Sequence, residues 1–148
     1  QKFGFVFQSY NLLPELSVLE NIMLPADLNG QKPDKTYIKK ILSVMGIQDK
    51  ICKYPSQLSG GEQQRTAIAR ALVNKPEIIF ADEPTGNLDP ETSWEIMKIF
   101  EEINSLGTTV IMATHNKEIV NTLQHRVIAI EGGLIVRDEQ KGEYGYEL

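Results

Sequence analysis

Apolar residues change their spacing several times along the chain, and each change marks an element. Phe3-Gly4-Phe5-Val6-Phe7 reads as a buried strand that ends at Gln8. From Leu12 to about Tyr54 the spacing becomes helical. Ser17 is placed to cap a first helix carrying Val18, Leu19, Ile22 and Met23, with Pro25 near its end. A second helix, over about 33–45, sets Ile38, Ile41, Leu42 and Met45 on one face, and Gly46 terminates it. A third opens at Ser59-Gly60-Gly61-Glu62, with Ser59 as cap and Glu62 completing a capping box. Its buried stripe is Ile68, Ala71 and Leu72, and Pro76 marks its outer limit. Asp89-Pro90 opens a fourth, a capping residue followed by proline at the first helical position. Trp94, Met97, Phe100 and Ile103 bury that helix, and Gly107 closes it.

Between these helices lie Ile78-Ile79-Phe80-Ala81 and Thr109-Val110-Ile111-Met112-Ala113, unbroken apolar runs of the kind expected in parallel strands covered on both faces. A short helix over 117–123 follows, then a hairpin of 126–131 and 134–138 turning at Gly132-Gly133. Alternation of strands and helices after residue 59 predicts an α/β fold with a parallel sheet. The expected organisation is a strand and loop over 1–8, a helical subdomain over 9–57, the α/β core over 58–138 and a tail over 139–148.

Length and charge narrow the picture. The 148 residues suit one compact domain, and a net charge of −5 argues against a broad nucleic-acid-binding face. Cys52 is the only cysteine, which excludes an intramolecular disulfide and fits a reducing cytosol. No apolar run approaches the ~20 residues needed to span a bilayer. The chain starts at Gln1 and enters a strand at residue 3, so sequence is expected to be missing upstream.

Two places carry candidate chemistry. Ile79-Phe80-Ala81-Asp82-Glu83 is a buried strand ending in two acids, and strand ends are where open α/β sheets place ligands. Asp82 can hold magnesium directly or through water, and Glu83 can polarise an attacking water. Leu58-Ser59-Gly60-Gly61-Glu62-Gln63-Gln64 brings glycine amides and a serine hydroxyl to a helix N-terminus, which favours anions. Taken singly, each has an ordinary reading: a surface turn before Pro84, and a capped helix.

Together they do not. Leu58–Arg65 resembles the signature motif of ATP-binding-cassette (ABC) proteins, and 78–83 resembles their Walker B strand. Thr85-Gly86-Asn87-Leu88-Asp89 is similar to the D-loop, Ala113-Thr114-His115 to the switch-histidine loop, and Phe7-Gln8 to the Q-loop. The resemblance implies a P-loop NTPase-like sheet with an inserted helical subdomain, using ATP and Mg2+. It further implies that Asp82 and Gln8 serve magnesium, that Glu83 is the general base, and that His115 contacts the γ-phosphate. Ser59, Gly60, Gly61 and Glu62 would face ATP bound to an opposite subunit, and Asp89 would couple the two sites. The implied partners are a second ATPase subunit and an integral membrane permease or FtsX-like subunit, with the chain peripheral on the cytoplasmic face of the membrane.

Within the family the first half resembles the LolD and MacB group, through Phe7–Pro14 and Val18–Ile22. From Thr92 onward the strings Ser93–Met97, His115–Thr122, Ile135–Glu139 and Gly142–Glu147 resemble FtsE. One departure stands out. The phosphate-cradling G-x-x-x-x-G-K-[ST] string is absent, and no Gly-Lys dipeptide occurs anywhere. The expected consequence is very weak ATP binding and negligible turnover by this chain alone. A non-catalytic docking module and a soluble, non-transport ABC ATPase are the alternatives.

Overall fold

In the computed structural model, which describes residues 2–144, alternation along the strands at 3–7 and 78–82 sorts the side chains onto two contrasting faces. The elements run β1 (Phe3–Phe7), α1 (Val18–Leu28), α2 (Lys35–Met45), α3 (Gly60–Leu72), β2 (Ile78–Asp82), α4 (Pro90–Ser105), β3 (Thr109–Ala113), α5 (Lys117–Leu123), β4 (Val127–Glu131) and β5 (Leu134–Glu139). Short 3-10 turns occupy Gln48–Lys50 and Pro55–Gln57. Gln1 and the tail residues 145–148 lie outside the described residues, including Tyr146 and Glu147 of the FtsE-like tail string. The chain divides into two compact units, 1–114 and 115–148.

In the first unit, β1, β2 and β3 form a parallel sheet in that order, as the alternation predicts. Gly4, Val6, Ile79 and Ala81 bury one face. Helix α3 packs there so closely that a Cβ on Gly4 would lie 2.6 Å from the Ala71 carbonyl oxygen, so only glycine fits. The other face departs from the expectation of cover on both sides. Phe3, Phe5 and Phe7 are 49%, 52% and 40% exposed, and Ile111 is 49% exposed. Phe80 joins this face, edge-on to Phe3 and stacked on Phe5. The reason is the period of two: an apolar run supplies two apolar faces, and α3 fills only the Gly4 side.

The helices follow their caps. Ser17 and Glu20 form a capping box at α1, Asp34 caps α2, and Gly46 closes α2 in the left-handed conformation at φ 65°. The second helix therefore starts two residues later than its apolar spacing suggested. Pro25 sits inside α1, which continues to Leu28. Ile22 and Ala26 are fully buried, and this anchors the last turns despite the missing proline N–H. Val18, Met45, Ile47 and Ile68 complete that helical core. On α4 the buried set is Ser93, Ile96, Met97, Ile99, Phe100 and Ile103, whereas Trp94, expected inside, is half-buried. Ala71 on α3 is likewise half-buried.

The second unit holds α5 and the β4–β5 hairpin. Asn116 caps α5 by accepting from the Glu118 and Ile119 amides at 3.1 and 3.2 Å. The antiparallel hairpin turns at Gly132 and Gly133, both at positive φ, as a two-residue connection with the twist of its strands requires. Arg126 donates two hydrogen bonds to Asp138, at 2.8 and 2.7 Å.

Candidate functional site

Parallel pairing brings three strand ends to one edge. Phe7 lies opposite Asp82, and Asp82 opposite Ala113, so the chain leaves the sheet at Gln8, Glu83 and Thr114 side by side. Asp82 is exposed on its strand end and Glu83 is half-buried. Glu83 extends the sheet by one bond, its N–H donating to the Ala113 carbonyl at 2.9 Å. It then turns sharply at φ 45°, a left-handed conformation that a residue with a Cβ adopts only under restraint. The Thr114 hydroxyl donates to its carboxylate at 3.4 Å. The turn is closed by the Gly86 N–H donating to the Glu83 carbonyl at 3.0 Å.

The loop after β1 is equally constrained. Tyr10 and Asn11 both take positive φ, at 60° and 52°. Arg70 of α3 holds them, donating to the Asn11 and Tyr10 carbonyls at 2.6 and 2.8 Å. Burial lowers the guanidinium's pKa, the cost of placing a cation over backbone carbonyls rather than in water. Gln8 pairs with Asn87, 79 residues away: its Nε2 donates to Asn87 Oδ1 at 3.1 Å, and Asn87 Nδ2 returns a bond to the Gln8 carbonyl at 3.1 Å. Gly86 packs beneath, where a Cβ would fall 2.6 Å from Gln8 Nε2. The segments 8–11 and 85–89 are thus directly joined.

The start of α3 is built as its sequence predicts. Ser59 Oγ accepts from the Glu62 N–H at 3.2 Å, and Glu62 Oε2 accepts from the Ser59 N–H at 2.9 Å. Ser59 is exposed, Gly60 half-buried and Gly61 buried. Gly61 has a reason within its own chain, because a Cβ there would meet the Thr92 methyl at 2.6 Å. Asp89 caps α4, accepting from the Thr92 N–H at 3.0 Å and its hydroxyl at 2.6 Å. The Thr92 hydroxyl and then its amide hold the Asp89 carboxyl below the usual range. His115 is exposed and opens the second unit.

The structure therefore gathers Gln8, Asp82 and Glu83 at one sheet edge. Sequence reasoning missed their fastenings: Asn87, Arg70 and the buried Gln64. Gln64 carried a readable signal, being the polar residue four positions before Ile68 on the buried stripe of α3.

A parallel sheet with acids at its carboxyl edge, preceded in the chain by a capped glycine-rich helix start, is an α/β core of the kind that takes anionic ligands at its strand ends. A family model described as ABC transporter matches residues 1–86, and the chain belongs to that family. It is 57% identical to the cell division ATP-binding protein FtsE of Bacillus subtilis (strain 168), over 98% of this chain and 64% of that protein. It is 48% identical to the lipoprotein-releasing system ATP-binding protein LolD of Aquifex aeolicus, over 92% of this chain and 61% of the relative. It is 50% identical to the macrolide export ATP-binding/permease protein MacB of Chlorobium phaeobacteroides, over 95% of this chain and 21% of the relative. The dimeric structure of MJ0796, a bacterial ABC transporter cassette, superposes with a TM-score of 0.79 at 37% identity, covering 97% of this chain and 65% of that one. The chain thus spans about 64% of the FtsE relative's length. Among the described residues no helix is long and apolar enough to cross a membrane.

Proposed function

We propose that this chain is the larger part of an ATP-hydrolysing cassette that closes on a second cassette and so drives a membrane partner. The carrying observation is Glu83, an acid held in a left-handed turn beside Asp82 and Gln8 at the sheet edge. Glu83 is the general base: its carboxylate takes the proton of the water that attacks the γ-phosphorus. Asp82 and Gln8 supply oxygen donors from adjacent strand ends, a set that suits a magnesium ion keeping most of its own water. When bound, that ion neutralises charge on the phosphates. The Gln8 side-chain NH2 is committed to Asn87, and Gln8 Oε1 is the atom for the metal side. His115 donates to the γ-phosphate. Ser59, Gly60, Gly61 and the capping Glu62 present a helix N-terminus to nucleotide on the opposite subunit, and Asp89 couples the two sites.

The partner is an integral membrane subunit, with the cassette peripheral on the cytoplasmic face and no nucleic acid involved. The higher identity to FtsE, 57% against 48% to LolD and 50% to MacB, favours a cell-division role over lipoprotein release or macrolide export. The chain carries no Gly-Lys phosphate-gripping string, so alone it binds ATP very weakly and turns over negligibly.

The test joins this chain to the part of the Bacillus subtilis FtsE relative that it does not cover, in the relative's own order. The chimera is expected to hydrolyse ATP with Mg2+, and Glu83→Gln is expected to lower kcat by ~100-fold or more, the range for losing a general base starting there. An active chimera indifferent to Glu83→Gln would refute the assignment. A chimera that binds its partner without turnover would favour the docking-module reading.

A further inference from the structure

We propose that Gln64 is a positioning residue for the reacting edge: its carboxamide fastens the ends of β1 and β2 to α3 and keeps Glu83 in its left-handed conformation. The consequence for catalysis rests on the reading of Glu83 as the base, but the conformational claim does not.

Gln64 is fully buried, one turn into α3. Its Nε2 donates to the Phe7 carbonyl at 3.3 Å and to the Pro84 carbonyl at 2.5 Å. These two carbonyls bracket the site, since Phe7 precedes Gln8 and Pro84 follows Glu83. A carbonyl only accepts, so both must face the NH2 end of the amide, and this fixes the orientation of the side chain. Its Oε1 accepts no hydrogen bond among the described residues. An apolar side chain of the same length would fill the space without that buried, unsatisfied acceptor, so packing alone does not account for glutamine here.

The bonds fall where they have leverage. A non-glycine residue at positive φ persists only when its surroundings over-determine it. Besides the Thr114 hydroxyl on the Glu83 carboxylate, three bonds restrain the backbone here: the Glu83 N–H on Ala113, the Gly86 N–H on the Glu83 carbonyl, and the Gln64 amide on the next carbonyl along. Gln64 is the only one of the three that comes from outside the sheet and its turn. The same helix holds the neighbouring strained pair, Tyr10 and Asn11, through Arg70. A displacement of α3 is therefore passed to the Gln8 segment and to Glu83 together.

The experiment is solution NMR on the isotopically labelled chain without nucleotide. In the unsubstituted chain a through-hydrogen-bond coupling between Gln64 Nε2 and the Pro84 carbonyl carbon is expected. Glu83 should show the short intraresidue amide-to-Hα distance of a positive φ. Gln64→Met keeps length and shape but removes the donor. It should erase the Glu83 signature and speed exchange of the Gly86 amide at least tenfold. Thr66→Val is the control, because Thr66 is equally buried but bonds only within α3, to the Glu62 carbonyl at 2.8 Å. It should leave both signals unchanged. Retention of the Glu83 signature and Gly86 protection in Gln64→Met would overturn the proposal. So would absence of the Gln64–Pro84 coupling in the unsubstituted chain, a measurement that needs no variant to fold. Whether Glu83 acts as base is decided separately, by Glu83→Gln in the chimera.

Discussion

Replacing Gly61 by alanine separates two reasons for a glycine at the start of α3: room for a ligand, and room for the chain's own α4. The built Cβ lies 2.6 Å from the Thr92 methyl, about 1 Å inside ordinary carbon–carbon contact of ~3.5–4.0 Å. Thr92 cannot swing the methyl away cheaply, because its hydroxyl and its N–H both bond the Asp89 carboxylate. Overpacking of this kind costs about 1–3 kcal/mol. Alanine returns up to ~1 kcal/mol through its higher helix propensity, less so near a helix end. The net expectation for Gly61→Ala is a loss of about 1–2 kcal/mol. With a urea slope near ~2 kcal/mol per M, the unfolding midpoint falls by about 0.5–1 M.

Thr92→Ser supplies the decisive partner. It removes the offending methyl and keeps the oxygen that bonds Asp89. In that background Gly61→Ala should be neutral or slightly stabilising, giving a coupling of about 1–3 kcal/mol in a double-mutant cycle. Equal destabilisation in both backgrounds would refute the packing explanation. The relieved double variant, placed in the ATPase chimera, then shows what the second signature glycine contributes to nucleotide handling itself.

Two further outcomes follow from the geometry. Gly4→Ala puts a Cβ 2.6 Å from the Ala71 carbonyl, a backbone atom with no rotamer to escape into. It should cost at least the upper end of the ~1–3 kcal/mol range, read from urea midpoints, and a neutral result would mean that α3 does not sit on β1 as described. On the acid side, Asp89, Glu20 and Asp138 are held below their ordinary range by Thr92, by the Ser17 backbone and by Arg126. A carboxyl depressed on folding contributes stability that is present above its unfolded value of about 4 and lost as pH falls through its folded value. Stability should thus hold from pH 7 to about 5 and decline below about 4. Asp89→Asn, which still caps but no longer titrates, should make that decline shallower; an unchanged acid profile would exclude Asp89 as a contributor.

The helix starts were legible because capping is a conversation between residues three apart. Ser17, Ser59 and Asp89 cap where the sequence placed them, and Gly46 stops α2 where expected. Faces were harder. An apolar run such as 3–7 says that both sides of a strand avoid water, not which side this chain covers, and the open Phe3-Phe5-Phe7 side was therefore missed. On α4, Trp94 drew attention by size, yet Ile96 and Ile99 lie deeper. The pairing of Gln8 with Asn87 spans 79 residues and leaves no local trace.

What binds the edge into a site is of that second, non-local kind. Tyr10, Asn11 and Glu83 each take a conformation that costs on the order of 1–3 kcal/mol for a residue with a side chain. Local bonds offset part of that cost, the Asn11 N–H donating to the Ser9 carbonyl at 2.6 Å and the Gly86 N–H to the Glu83 carbonyl at 3.0 Å. Further donors come from one helix, through Gln64 and Arg70, whose side chains reach strand and loop ends between 20 and 60 residues away. Helix α3 thus fastens the strained loop after β1 and the carbonyl next to Glu83 at once, so the signature helix and the sheet edge form one mechanical unit before any nucleotide arrives.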